Sequence, residues 1–160
     1  MQKATRGKHS SLNLAYIAGF FDGEGSICIT KWVNKRNKSH SWQYALYVSI
    51  VGTKRESIDF FNDTLSPHRK VGESKYRADF IAYRWGCAGR NALAFLKLIH
   101  PYLKLKKPQA LLGIEFQEKK MTDKYDRRGV VLNDEDIKWR ESYLLKMKEL
   151  NKRNVCSRND

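Results

Sequence analysis

Tyr16-Ile17-Ala18-Gly19-Phe20-Phe21-Asp22-Gly23-Glu24-Gly25 is the stretch on which the fold turns. Gly19 and Gly23 stand four residues apart, so a helix carries both on one face. A glycine inside a helix costs roughly 1 kcal/mol relative to alanine. Two in one short helix need a compensating contact, and a second helix approaching backbone to backbone supplies one. The alternative is a plain helix end with Gly23 and Gly25 as C-caps; Ala18, Asp22 and Glu24 in the same run favour the seam. Glu24 falls at the C-terminal end of this helix, where the dipole disfavours negative charge. When two such helices pair, their Glu24 carboxylates converge, which costs free energy unless a divalent cation lies between them. Oxygen ligands suit Mg2+, with Mn2+ as its substitute; Mg2+ keeps several waters and takes phosphate as a remaining partner. The plainer alternative for Glu24 is a solvated surface carboxylate.

Outward from this helix, expected over residues 12–21 with Ser10 or Ser11 as N-cap, the periodicity changes. Residues 26–33 alternate, with Ile27, Ile29 and Val33 against Ser26, Cys28, Thr30 and Trp32. Residues 42–51 alternate again, with Tyr44, Leu46, Val48 and Ile50 against Gln43, Ala45, Tyr47 and Ser49. Period 2 marks half-buried strands, and the polar stretch 34–41 joins them as a hairpin loop. Residues 54–65 carry Ile58, Phe61 and Leu65 at helical spacing and stop at Ser66-Pro67. A second hairpin pairs 71–77 with 80–87 around Ala78-Asp79, with Ile81, Tyr83, Trp85 and Cys87 on one face and Ala82 and Arg84 on the other. Helices follow over 91–103, bent at Pro101, over 109–119 behind Pro108, and over 133–150. In the last of these, Asp134, Glu135 and Asp136 open the helix and Lys146 and Lys148 lie near its end, matching the dipole. The expected class is α+β: one four-stranded antiparallel sheet with helices on one face and extra C-terminal helices. Residues 1–11 read as a flexible basic arm, 12–150 as a single domain and 151–160 as a basic tail.

The opening stretch resembles the motif of the LAGLIDADG homing endonucleases, most closely the single-motif, intron-encoded type. A second stretch, Pro101-Tyr102-Leu103-Lys104-Leu105-Lys106-Lys107-Pro108-Gln109-Ala110, resembles the segment that carries that family's active-site lysine. With the order of hairpins and helices, the likeness covers about residues 12–120. It implies an αββαββα fold and metal-dependent hydrolysis of DNA phosphodiester bonds at a long, pseudo-palindromic site. It also implies that Glu24 and the Gly23 backbone carbonyl ligate the metal, and that Lys106 stabilises charge near the scissile phosphate; Lys104 and Lys107 remain alternatives for the inward lysine. Ala18, Gly19, Asp22 and Gly23 become the dimer helix. Relatives often carry Asp where Glu24 stands, and Gln at the end of the second strand. Here that end reads Val51-Gly52-Thr53-Lys54, and Thr53 is the candidate substitute. Some relatives act as maturases or regulators, so a non-cleaving nucleic-acid-binding protein of the same fold is the rival reading.

Composition bounds the partners. There are 31 Lys and Arg against 17 Asp and Glu, a net +14, with aromatic residues interleaved among the basic ones. Such a surface attracts polyanions. One motif in 160 residues supplies half a two-strand cutting site, so a twofold homodimer on double-stranded DNA follows. At about 3.3 Å per residue each strand spans about one turn of B-DNA, enough for a half-site of about 9–10 base pairs. The expected DNA contacts are Ser26, Cys28, Thr30, Trp32, Asn34, Gln43, Tyr47, Ser49, Lys75, Arg77 and Arg84, with Lys54 and Arg55 on phosphates. Tyr47 and Trp32 have the alternative of stacking on one another across the hairpin. Three dispersed cysteines, Cys28, Cys87 and Cys156, point away from a disulfide framework or structural zinc and towards a reducing intracellular compartment, microbial cytoplasm or organelle. No apolar run approaches a membrane span, and no small-molecule substrate is expected.

Overall fold

The computed structural model describes residues 11–33, 42–65, 71–77, 80–123 and 131–152. In chain order these form α1 (Ser11–Glu24), β1 (Gly25–Val33), β2 (Trp42–Gly52), α2 (Arg55–Leu65), β3 (Gly72–Arg77), β4 (Phe80–Ala88), α3 (Arg90–Ile99), a 3-10 turn (His100–Tyr102), α4 (Lys107–Thr122) and α5 (Asp134–Leu150). The strands make one antiparallel sheet in the order β1-β2-β4-β3. Residues 1–10 of the expected arm and most of the expected tail, the loop 34–41 and the turn Ala78-Asp79 lie outside the described residues, as do Asn34, Cys156 and the N-cap candidate Ser10.

Alternation in the first hairpin becomes burial. Ile27, Ile29, Tyr44, Leu46, Val48 and Ile50 are buried on one face. Ile17 and Phe21 of α1, Ile58 and Phe61 of α2, Leu96 and Ile99 of α3 and Phe116 of α4 complete the core against them. Gly113 lets α4 approach the sheet, because a Cβ there would come within 2.9 Å of Leu46 Cδ1 and 3.2 Å of Leu96 Cδ1. Helix α5 is tied down at several points. The Glu141 carboxylate accepts hydrogen bonds from Tyr44 Oη at 2.6 Å and from the Lys31 ammonium. The buried Arg140 guanidinium pairs with Asp123, just past α4, at 2.6 Å. Asn133 caps α5 by accepting from the Asp136 backbone N–H at 2.8 Å.

Four local expectations shift. Helix α1 runs from Ser11 to Glu24, three residues past the expected end at 21 and with Ser11 inside it. The third helix ends at Ile99 instead of running to 103, because Pro101 has no N–H for the helical ladder; a 3-10 turn carries the chain on, and Leu103 N donates to His100 O at 3.3 Å. Helix α4 starts two residues earlier than expected, with Pro108 in its first turn. Of the four β4 residues expected on the buried face, only Trp85 and Cys87 are buried; Tyr83 is half-buried and Ile81 is 40% exposed, while Ala82, expected on the other face, is 2% exposed. Helix cover over the first half of this strand is partial: Arg55 of α2 lies 5.8 Å from the Tyr83 ring, while Ile81 stays open. Its first half pairs with β3 at the sheet edge, with Ile81 opposite Lys75.

Candidate functional site

Helix α1 runs straight into β1, so its last turn delivers Glu24, exposed, to the edge of the sheet. Two residues earlier Asp22 turns inward and is 8% exposed. Its Oδ2 accepts from the Lys104 backbone N–H at 2.7 Å and its Oδ1 from the Lys106 backbone N–H at 2.9 Å. The Lys106 ammonium donates in turn to the Asp22 backbone carbonyl. The carboxylate thus clasps the short segment before α4 and hangs Lys106 beside the end of α1. Burial drives the Lys106 ammonium towards a lower pKa, and the charges of Asp22 and Glu24 oppose that, leaving it below its ordinary value. Burial also works against the Asp22 carboxylate, but the N–H groups of Lys104, Lys106 and Leu105 and the Lys106 charge outweigh it, and its pKa is lowered.

Asp22→Asn keeps the shape and replaces one acceptor with a donor aimed at a backbone N–H. It should cost about 1.5–3 kcal/mol, the worth of hydrogen bonds to a charged group. Because the folded-state pKa is depressed, this stabilisation is complete above the ordinary carboxylate value of 3.8 and is lost as the pH falls below it. Urea melts of both chains should therefore differ at neutral pH and converge in acid; a gap that persists in acid would show that the charge is not what holds the clasp.

Glu24 stands between two clefts, each of about 580 Å³. One is lined by Phe20, Val51, Gly52, Thr53 and Lys54. Thr53 and Lys54, at the end of the second strand, therefore share a wall with Glu24. The other holds Gly23, Lys106, Gln109, Asn151 and Lys152. Gln109, Asn151 and Lys152 were not singled out in the sequence. Among the described residues no group of three or more His, Cys, Asp or Glu side chains is placed to hold a metal ion. One chain offers one carboxylate, Glu24, and the carbonyls of the last α1 turn, which lack intrahelical partners. That is a sparse, all-oxygen donor set, and it suits a hard cation that fills its shell with water and phosphate oxygens.

Among the described residues no helix packs on the far face of the sheet. Ser26, Thr30, Trp32 and Arg84 are exposed on it, and Cys28, Gln43, Tyr47 and Ser49 are half-buried. Tyr47 lies across β4, where Gly86 leaves room: a Cβ at that glycine would meet Tyr47 Oη at 2.7 Å. Trp32 pairs with Gln43 and Tyr47 with Cys28, so the two rings sit four residues apart along the hairpin and do not stack on one another. Thr30 Oγ1 donates to the Ala45 carbonyl at 3.2 Å. Lys75 and Arg77 lie in β3, and their side chains are outside the described residues. Lys54 is exposed ahead of α2. Arg55 is also exposed, but its guanidinium bonds Asp59 at 3.2 Å and Glu73 at 3.1 Å.

Along α1, Ala18 and Asp22 pack into their own chain. The glycines do not: a Cβ on Gly19 or Gly23 would meet nothing within 4 Å. Leu12 and Tyr16, on the same side, are 76% and 57% exposed. The open stripe of this helix is therefore Leu12, Tyr16, Gly19 and Gly23.

No family model matches the chain. A curated relative does: the DNA endonuclease I-CreI of Chlamydomonas reinhardtii is 31% identical over 111 residues, 69% of this chain and 66% of that enzyme. The chain belongs to the LAGLIDADG homing endonucleases. The match spans about two thirds of that relative's length. Among solved structures, the homing endonuclease I-CvuI, bound to uncleaved DNA in the presence of Mg, superposes with a TM-score of 0.67 at 17% identity, over 89% of this chain and 85% of that one. The LAGLIDADG homing endonuclease I-SmaMI, bound to cleaved DNA, gives a TM-score of 0.59 at 18% identity, over 89% of this chain but 44% of the other. The αββαββα fold of the LAGLIDADG proteins is thus present here, with α1 as the motif helix. No helix among the described residues is long and apolar enough to cross a membrane.

Proposed function

We propose that this LAGLIDADG chain is a site-specific double-strand DNA endonuclease, of the kind used in intron homing, that works as a homodimer on a long pseudo-palindromic target. The observation that carries the reading is the meeting of Glu24 and Lys106 in one cleft, at the end of a helix with a bare glycine stripe and at the edge of an uncovered, donor-rich sheet. The likeness to I-SmaMI over less than half of that longer chain supports pairing, since one copy of this fold accounts for half of such a molecule.

In the dimer the two α1 stripes meet and bring the two Glu24 carboxylates together. Glu24 and the Gly23 carbonyl are the ligands for a divalent cation, Mg2+ or Mn2+ in its place. When bound, the cation polarises the scissile phosphate and activates water. Lys106 places a positive charge against the same phosphate, and the Asp22 clasp keeps it there. Thr53 and Lys54 border the space across from it, where relatives often place a glutamine. Ser26, Cys28, Gln43, Tyr47 and Arg84 face the bases, while exposed lysines meet the backbone. A reducing intracellular compartment keeps Cys28 a thiol on this face.

Selection for cleaved sequences from a library of randomised palindromic duplexes in Mg2+ tests this. The expected result is one family of twofold-symmetric sites. A library bound at high occupancy yet left intact would instead indicate a non-cleaving binding protein.

A further inference from the structure

The cleft that holds Glu24 and Lys106 is closed by a segment far from both in sequence, the turn that ends α5. That turn is fastened on two sides. Gln109 Nε2, in the first turn of α4 and three residues past Lys106, donates to the Leu150 carbonyl at 3.0 Å. Asn151 Nδ2 donates to the Ile27 carbonyl, three residues past Glu24, at 2.8 Å. Backbone bonds tighten it further, from Asn151 N to Met147 O at 3.1 Å and from Lys152 N to Glu149 O at 3.1 Å. The two segments that carry the acid and the lysine therefore also hold the α5 turn. The cation it presents to the cleft is Lys152.

A cation suits this place, because the helix C-terminus favours positive charge. Lys152 pairs with Glu149 at 2.5 Å, with both side chains 69% exposed. An exposed pair of this kind is weak, and a phosphate lying in the cleft readily displaces Glu149. The same cleft holds an unmet acceptor: Gln109 Oε1 is buried with no hydrogen-bond partner, an expensive condition for an amide, and it calls for a donor, such as the Lys152 ammonium turned inward from Glu149.

We propose that the α5 turn belongs to the reaction centre: the Lys152 ammonium takes a phosphate oxygen of the bound strand on the side of the cleft facing Lys106, and Gln109 and Asn151 are positioning residues that hold it there. This rests on the endonuclease reading above and adds a substrate contact to it.

The test uses the full chain and a palindromic duplex recovered by the selection in Mg2+. Failure to recover any cut duplex would count against the endonuclease reading itself, before Lys152 is altered. With wild-type cutting in hand, Lys152→Met should slow single-turnover cleavage about ten- to a hundredfold, and Lys152→Arg should restore most of it. The salt dependence of duplex binding, measured with Ca2+ in place of Mg2+, should lose about 0.9 of slope per half-site in Lys152→Met. Asn151→Leu, of similar size but unable to donate to Ile27 and adding no charge, should slow cleavage as well. The double variant should be no slower than Lys152→Met, because both changes act through one ammonium. Wild-type rate and salt slope in Lys152→Met, or losses that multiply in the double variant, would overturn the assignment.

Discussion

Glu24→Gln is expected to abolish DNA cutting, a loss on the order of a thousandfold or more, as for a group that acts in the transition state. Specific binding measured in Ca2+ should survive, because the exposed face of the sheet and the dimer stripe are untouched. The physical basis is the placement of the side chain. Glu24 is exposed at the end of α1 and shares one cleft with Lys106 and another with Thr53, and in the proposed dimer it is the acid that a twofold axis through the open stripe brings against its own copy. Two converging carboxylates repel, so without metal the Gln variant should melt at the same temperature as the parent or higher. Near-normal cutting by the variant would remove Glu24 from the mechanism. A clear drop in its metal-free melting temperature would contradict the convergence.

Gly19→Leu should separate assembly from folding. Within one chain the substitution is harmless: an added Cβ meets nothing within 4 Å, and replacing a helical glycine gains about 1 kcal/mol of propensity or slightly less. The isolated subunit should therefore be as stable as before, or more so. Between chains the same side chain stands where two helices must approach to the 8–10 Å of packed axes or closer, so the variant should sediment as a monomer and cut no palindromic duplex. An intact dimer with normal cutting would show that the chains meet elsewhere. A monomer that fails to fold would show that Gly19 serves its own subunit.

The parts of this molecule that could be read from the chain are those whose reason is local. Strands β1 and β2 were legible because Ile27, Ile29, Tyr44, Leu46, Val48 and Ile50 recur with period 2, and the core takes all six. Glu24 stood out because the glycines and acids of the motif lie within ten residues. Asp22 did not show its role: it sits in the same motif, but the backbone groups it clasps are 82 and 84 residues away. Ile81 looked like a core residue by alternation alone, and its exposure depends on how far the helices extend over the sheet. The α5 turn was the least legible, since the bond from Asn151 to Ile27 spans 124 residues and leaves no periodic trace in either segment. Gln109 offered a faint signal, three residues after Lys106 on the same side of α4.

Helix α5 grips β1 near both ends, through Glu141 on Lys31 and through Asn151 on Ile27. The first hairpin is therefore fastened from behind, on the face opposite Ser26 and Cys28. Side chains on its front can be exchanged without breaking either of those bonds. Altering Ser26, Cys28 or Gln43 should change which letters are preferred while leaving the length and spacing of the half-site as they are, a separation of alphabet from ruler that makes this hairpin a natural place to begin retargeting.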